Sequence, residues 1–422
     1  VCGGFNVAAF VLRLALRNNF VIFALSMEAR KRKVAIVTST RADWGLLRDI
    51  AMQLRNSEAV DLAIIATNMH LIQRYGMTLN EILEDGFVVD AKVEMTPTGD
   101  SPADTVHATA RCMDGMATAF ETIKPDLLVL LGDRYEMLAV ATAATVMRIP
   151  IVHIAGGEIS EGAFDDSIRH AITKLSALHL TATEAYRNRV IAMGEAPSRV
   201  INTGAIGVQN LANEPVMPKT ELEKWLGLEL STSSLLVTLH PATLDAVPVA
   251  ERCQALLNAL DAFPKSNIIF TYPNNDPQGE VIINMINDYV AHNGQRAVVV
   301  PSLGRHRYLS ALHYVGAVVG NSSSGIVEVP SMHIPTVDIG IRQQGRIASN
   351  SVIHCAADAE SIRRAIAYAL SAEGKQRAQM SENPYFKPNT LTTIVDAIIN
   401  TPLSELQHKR FVDAYPITNT PT

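Results

Sequence analysis

LLVLLGDRYE (Leu127–Glu136), MRIPIVHIAGGE (Met147–Glu158) and GAFDDSIRHAITKL (Gly162–Leu175) make up the stretch whose reading decides the fold. Two apolar runs, Leu127–Leu131 and Ile149–Ile154, each stop on glycine and a carboxylate: Gly132 with Asp133, then Gly156 and Gly157 with Glu158. A helix-like segment separates them, and Asp165 and Asp166 stand where a further helix should begin. Strands alternating with helices make βαβ units and a parallel sheet. Ligands of such sheets sit in the crevice beyond the carboxyl ends of the strands. Asp133, Glu158 and Asp165 are therefore expected to face one small molecule.

The same rhythm extends both ways. Upstream, Val34–Ser39 and Asp61–Thr67 read as strands, and a long helix is expected over Ala103–Lys124. Downstream come Ala177–Thr183 and Val200–Gly207. Asn213–Lys219 is polar, carries two prolines and reads as a linker. The pattern then restarts with Ser234–Pro241, Asn267–Asn274, Ala297–Leu303, Gly316–Gly325 and Pro335–Gly340. The expected architecture is α/β, with two Rossmann-like domains facing each other across a cleft. Residues 34–212 form the first, with the carboxylates, and residues 213–375 the second. Residues 376–422 are expected to be a helical tail packing back on the first domain.

Residues 1–33 stand apart. VAAFVLRLALRNNFVIFALS (Val7–Ser26) is apolar but broken by Arg13, Arg17, Asn18 and Asn19. It is too interrupted for a membrane span and lacks the charged start of a secretory signal. It is expected to be an extension outside the fold, with Met27 as the working start; an amphipathic surface helix is the alternative. With 422 residues, 48% hydrophobic and 18% charged, the chain as a whole has the composition of a globular enzyme. A net charge of −6 gives no electrostatic case for nucleic acid. Cys2, Cys112, Cys253 and Cys355 lie far apart, which argues against a zinc site or a disulfide framework and fits a reducing, cytoplasmic compartment.

Each candidate motif has a plain structural reading beside the functional one. TRADWG (Thr40–Gly45) opens a helix after a strand, where anions bind and Arg41 adds a charge; otherwise Asp43 simply caps that helix. Asp133 and Arg134 occupy a strand tip, and Asp133 could merely cap the next helix. Asp165 with Arg169 and Asp166 with His170 are i, i+4 pairs that could be purely structural. His153 and His179 read as satisfied core histidines. In the second half, His240 (LHP) and Asn274 (YPN) end strands. GNSSSG (Gly320–Gly325) feeds a helix start, where Ser322 and Ser323 suit a diphosphate or cap the helix, and Glu328 could take two ribose hydroxyls. Arg342 in GIRQQGR follows another strand and could screen a diphosphate. Neither G-x-x-x-x-G-K-[ST] nor G-x-G-x-x-G occurs, which disfavours ATP hydrolysis and nicotinamide chemistry.

In this order and spacing, TRADWG, GDRYE, HIAGGE, DDSIRHAITKLS, LHP, YPN, GNSSSGIVE and GIRQQGR resemble the hydrolysing UDP-N-acetylglucosamine 2-epimerases, over about Val34–Leu370. That family includes bacterial enzymes of sialic-acid-type sugar synthesis and the epimerase half of an animal bifunctional enzyme. The resemblance implies a GT-B fold and a uridine diphosphate site made by Arg41, Arg134, His240, Asn274, Ser322, Ser323, Glu328 and Arg342. It implies catalytic carboxylates at Asp133 and Asp165, with Glu158 a proton donor and His240 at the leaving diphosphate. No metal or other cofactor is needed, the partner is a UDP-sugar, no nucleic acid or membrane is expected, and the family suggests a homodimer or homotetramer. One position departs: sialic-acid members commonly read H-I-E-G-G-E, and here the glutamate is Ala155. This leaves the substrate open between UDP-N-acetylglucosamine and UDP-2,4-diacetamido-2,4,6-trideoxyglucose. Non-hydrolysing relatives carry E-A-G-L-R, which this chain lacks. A non-hydrolysing 2-epimerase, a GT-B glycosyltransferase and a non-catalytic sugar-nucleotide sensor are the rival readings.

Overall fold

A computed structural model describes residues 30–413 apart from residues 74, 75, 100, 214 and 275. The apolar segment before Met27 lies outside the described residues. A first sheet contains β1 (Arg32–Thr38), β2 (Val60–Thr67), β3 (Ala91–Val93), β4 (Leu127–Leu131), β5 (Ile151–Ile154), β6 (Leu178–Thr181) and β7 (Val200–Asn202). A second contains β8 (Leu235–Thr238), β9 (Ile268–Thr271), β10 (Ala297–Val300), β11 (Ala317–Gly320), β12 (Thr336–Ile339) and β13 (Val352–Cys355). The strand orders are β3-β2-β1-β4-β5-β6-β7 and β10-β9-β8-β11-β12-β13, all parallel.

The local sequence explains this. Every residue of β4, LLVLL, is buried. A strand apolar on both faces needs cover on both, and parallel sheets receive it from their crossover helices. Val34, Ile36, Leu127 and Val129 pack on one side of the first sheet, and Ala35, Val37, Leu128 and Leu130 on the other. Each fully buried aliphatic side chain contributes about 2 kcal/mol. Pro150, lacking an N–H, confines β5 to Ile151 onward, two residues short of the expected start. The long helix runs Pro102–Ile123, with Ser101 and Asp104 forming a capping box and Lys124 leaving it at φ 53°. β3 and β13 had no counterpart in the sequence reading. They are edge strands in which Lys92 and His354 are exposed, so neither reads as an unbroken apolar run.

In each sheet the strand order reverses once, between β1 and β4 and between β8 and β11. Crevices open at such switch points. The two crevices face each other, with Arg305 of the second half reaching Asp49 at 2.9 Å and the Gly45 carbonyl at 3.2 Å in the first. The helix Thr390–Asn400, although it follows the second sheet in the chain, inserts Leu391, Ile394, Val395 and Ile398 into the first sheet's core.

Candidate active site

The first wall is built on the tips of β1, β4 and β5. Thr40, not Asp43, is the N-cap of the helix Arg41–Asn56; Asp43 sits at its third position and completes a capping box. Arg41 therefore begins the helix and points into the cleft. Gly132 leaves β4 at φ 82°, a conformation glycine adopts without strain, and turns Asp133 toward the same space. The turn is held from below. His153 donates its Nε2–H to the Gly132 carbonyl at 2.7 Å, and its Nδ1 faces the Thr173 hydroxyl at 3.2 Å. Burial keeps this imidazole neutral, with its pKa down at about 3. His179 is equally buried and meets Glu195 through Nε2 at 3.0 Å, but its Nδ1 is buried without a hydrogen-bond partner among the described residues, so His153 is satisfied as expected and His179 only in part.

The helix Asp165–Leu175 supplies the rest of this wall. Its Arg169 does not form the expected pair with Asp165. It is buried and pairs with Asp133 and, at 3.1 Å, with Asp166, while holding the Glu158 carbonyl at 3.0 Å and Ser160 Oγ at 2.9 Å. His170 does sit 3.4 Å from Asp166. Glu158 ends β5's loop and is ion-paired across the cleft to Arg346 at 2.5 Å.

Asp133 and Asp165 share one electrostatic environment but are pushed in opposite directions. Burial would raise Asp133, yet Arg169, Arg346 and Arg342 outweigh it and hold the carboxylate below its ordinary value. Asp165 is raised to about 7 by burial, then by the charges of Asp133 and Asp276. Two carboxyl groups so separated make one fixed anion and one exchangeable proton site near neutrality.

The second wall comes from β8, β9, β11 and β12. Asn321, buried after β11, accepts the His240 N–H at 2.7 Å and donates to the His240 carbonyl at 2.9 Å. Arg342 and Gln343 both donate to the Asn321 carbonyl, at 3.1 and 2.9 Å. The approach is so close that a Cβ at Gly320 would lie 1.8 Å from the Thr238 carbonyl. His240 Nδ1 accepts the Asn274 N–H at 3.2 Å, so Nε2 carries the ring proton. Burial, then Arg342 and Arg134, push its pKa well below 6.5, making it a neutral donor. Ser322 and Ser323 line the cleft ahead of the short helix Ser324–Val327, and Ser323 gives it no side-chain cap. Glu328 lies beside them; its Oε2 is buried without a hydrogen-bond partner among the described residues.

Two adjoining chambers of about 200 and 260 Å³ occupy the cleft. Asp133, Arg134, Glu158 and Asp165 line the first; Arg41, His240 and Ser322 line the second; Asn274, Ser323, Glu328 and Arg342 line both. The eleven residues assigned to the site from sequence thus all line one or both of these adjoining chambers, whereas His153, Asp166, His170 and His179 line neither. Arg134 is committed within the cleft, to Glu136 at 2.7 Å and to Asp276 of the opposite wall at 3.4 Å. Four residues of the site went unassigned: Arg169, Asp276, Asn321 and Arg346. Three of them lie inside the quoted motifs, but only the fold reveals that Arg169 turns to Asp133 and that Arg346 crosses to Glu158.

A profile of the UDP-N-acetylglucosamine 2-epimerase family matches residues 52–399. The chain belongs to that family. It is 36% identical over 384 residues to the GDP/UDP-N,N'-diacetylbacillosamine 2-epimerase (hydrolyzing) of Campylobacter jejuni, covering 91% of this chain and 99% of the relative. A UDP-N,N'-diacetylbacillosamine 2-epimerase (hydrolyzing) of Legionella pneumophila is also 36% identical, over 76% of this chain and 84% of the relative. Among solved structures, the Neisseria meningitidis UDP-GlcNAc 2-epimerase bound to UDP-GlcNAc superposes with a TM-score of 0.74 at 16% identity, covering 87% of this chain and 100% of that one. The two-sheet fold of this epimerase-family chain is therefore the GT-B arrangement of its structural neighbours. Among its described residues no helix is long and apolar enough to cross a membrane.

Proposed function

We propose that this chain is a hydrolysing sugar-nucleotide 2-epimerase. The observation that carries the reading is geometric: Asp133, paired to Arg169, and Asp165 line one cleft opposite His240, Ser322, Ser323 and Arg342. In the first step the C1–O bond to the nucleotide breaks, its electrons leave with UDP, and C2 loses its proton to give a 2-acetamidoglycal. Water then adds, hydroxide to C1 and a proton to the opposite face of C2, releasing the manno-configured free sugar.

The C2 hydrogen is barely acidic, so departure of the diphosphate must lead and C1 gains cationic character. Asp133, kept ionised by Arg169, is suited to stabilise that cation. Asp165, titrating near neutrality, is suited to take the C2 proton. Inversion requires the hydration proton to reach the other face of C2, so we assign it to a second group, Glu158, which lines the same chamber and is ion-paired to Arg346. His240 Nε2–H, Arg342, Ser322 and Ser323 are assigned to the diphosphate, Arg41, Arg134 and Asn274 to its surroundings, and Glu328 to the ribose.

For the sugar we favour UDP-2,4-diacetamido-2,4,6-trideoxyglucose over UDP-N-acetylglucosamine. Ala155 stands where sialic-acid members have glutamate, and Leu131, Ile154, Ala155, Leu180 and Ala182 give the sugar chamber an apolar side. Such a side suits a 6-methyl group and leaves a 6-hydroxyl without a partner. Both relatives at 36% identity are named for the diacetylated sugar. The free product would serve nonulosonic acid synthesis. Incubation with each UDP-sugar alone tests the assignment: UDP release should be faster with the trideoxy substrate, and equal or reversed rates would remove it.

A further inference from the structure

The segment Ile159–Phe164, which leads directly into the helix bearing Asp165, is seated between two loops of the opposite half. On one side, the Glu161 N–H donates to the Gln344 carbonyl at 3.1 Å. A Cβ on Gly162 would lie 2.6 Å from the Ile341 carbonyl oxygen and 2.7 Å from Arg342 Cα. On the other side, the Leu244 N–H donates to the Gly162 carbonyl at 3.2 Å, and Thr243 Oγ1 accepts the Phe164 N–H at 3.0 Å. Phe164 is the N-cap of the helix and has no side-chain cap of its own. Its amide is satisfied by a hydroxyl from the other domain.

These loops carry the residues assigned to the diphosphate. Thr243 follows His240 by three positions, and Gly162 abuts the backbone of Arg342. The Thr243 loop is also tied to its own half: Arg252, buried on the helix Val249–Asp261, holds Asp245 at 3.0 Å and the Ala242 carbonyl at 3.4 Å. Thr243 therefore travels with the second sheet. When the halves separate, the Phe164 amide loses its acceptor and Gly162 loses its seat.

We infer that Thr243 and Gly162 are positioning residues that couple nucleotide engagement to assembly of the Asp165 helix, so that the proton-transfer group is set only in the closed cleft. The inference rests on the epimerase reading above. Closure of this kind keeps the reaction from starting before the leaving group is gripped. It assigns Thr243 a role that no contact with substrate requires.

The test uses the full-length chain. Wild type is first assayed for UDP release; no release would sink the functional reading itself, and this inference with it. Given a working wild type, Thr243→Val keeps the side-chain shape and removes the acceptor. It should lower kcat roughly tenfold, with a smaller but measurable loss of UDP affinity by calorimetry, because coupling is reciprocal. Thr243→Ser should restore kcat, and Gly162→Ala should lower kcat further without abolishing UDP binding. Unchanged kcat in Thr243→Val, a loss of UDP affinity equal to the loss of kcat, or failure of the serine to rescue would each overturn the coupling.

Discussion

The two walls of the cleft use polar groups in opposite ways. On the first, charge is paired: Asp133 and Asp166 with Arg169, Glu158 with Arg346, Arg134 with Glu136 and Asp276. On the second, His240, Asn274 and two serines are neutral, Arg342 spends one hydrogen bond on a backbone carbonyl, and Glu328 Oε2 has no hydrogen-bond partner among the described residues. Paired charges set the protonation of their neighbours and do not need a ligand to be satisfied. Neutral donors gain their partner when an anion arrives. The contrast assigns chemistry to the first wall and grip to the second, and substitutions should separate kcat from affinity along that line.

The largest expected effect is at Asp133. Asp133→Asn should lower kcat by roughly a thousandfold, the range seen when a group stabilising transition-state charge is removed. UDP affinity should stay within about twofold. A parallel loss of affinity would break the division between the walls. Next is His240→Ala, which should weaken UDP binding by roughly 10- to 100-fold through loss of a buried donor to a charged group. If kcat fell as severely as in Asp133→Asn while binding held, the second wall would have to be given chemistry.

The third effect is a pH shift. Asp165 must be ionised to accept the C2 proton, so kcat should fall as pH drops below about 7. Asp276 adds a negative charge that raises this pKa, after burial and Asp133. Asp276→Asn should therefore move the acidic limb to lower pH. An unmoved or upward-moving limb would show that the group titrating in the profile is not Asp165.

The smallest effect lies away from both walls. His354 Nδ1 meets the buried Asp338 carboxylate at 2.9 Å, and that hydrogen bond raises its pKa above 6.5. A raised folded-state pKa gives stability that is complete below the unfolded value and is lost as pH rises through the folded one. With the imidazole half-exposed, the gain is under about 1 kcal/mol. Denaturant unfolding at pH 5.5 and 8.5 should show His354→Asn losing slightly more stability than wild type at the lower pH only, with no change in kcat.

The sheets were legible because β4 and β5 are apolar throughout and stop abruptly on glycine, and because the same pattern restarts after the proline-bearing polar stretch. Strand tips pointed to Asp133 and Glu158 in the first sheet and to His240 and Asn274 in the second, since a parallel sheet sends the residues after its strands to one edge. The partners of those residues were not legible. Arg169 lies i+4 from Asp165 and i+3 from Asp166, and helix spacing alone cannot say that it turns to Asp133, whose approach depends on the Gly132 turn. Arg346 and Asp276 act across the cleft, so their roles depend on how the two halves meet. Asn321 looked like part of a serine-rich turn and proved to lock His240 through two hydrogen bonds. Edge strands β3 and β13 were not legible because exposed Lys92 and His354 interrupt their short apolar runs.

The most direct test is proton NMR of the reaction run in deuterated water with UDP-2,4-diacetamido-2,4,6-trideoxyglucose as the only substrate. The expected result is free UDP together with an unattached 2-epimeric sugar carrying deuterium at C2. A product that stays linked to UDP, or a released sugar with its original C2 hydrogen, would contradict hydrolysis through a glycal.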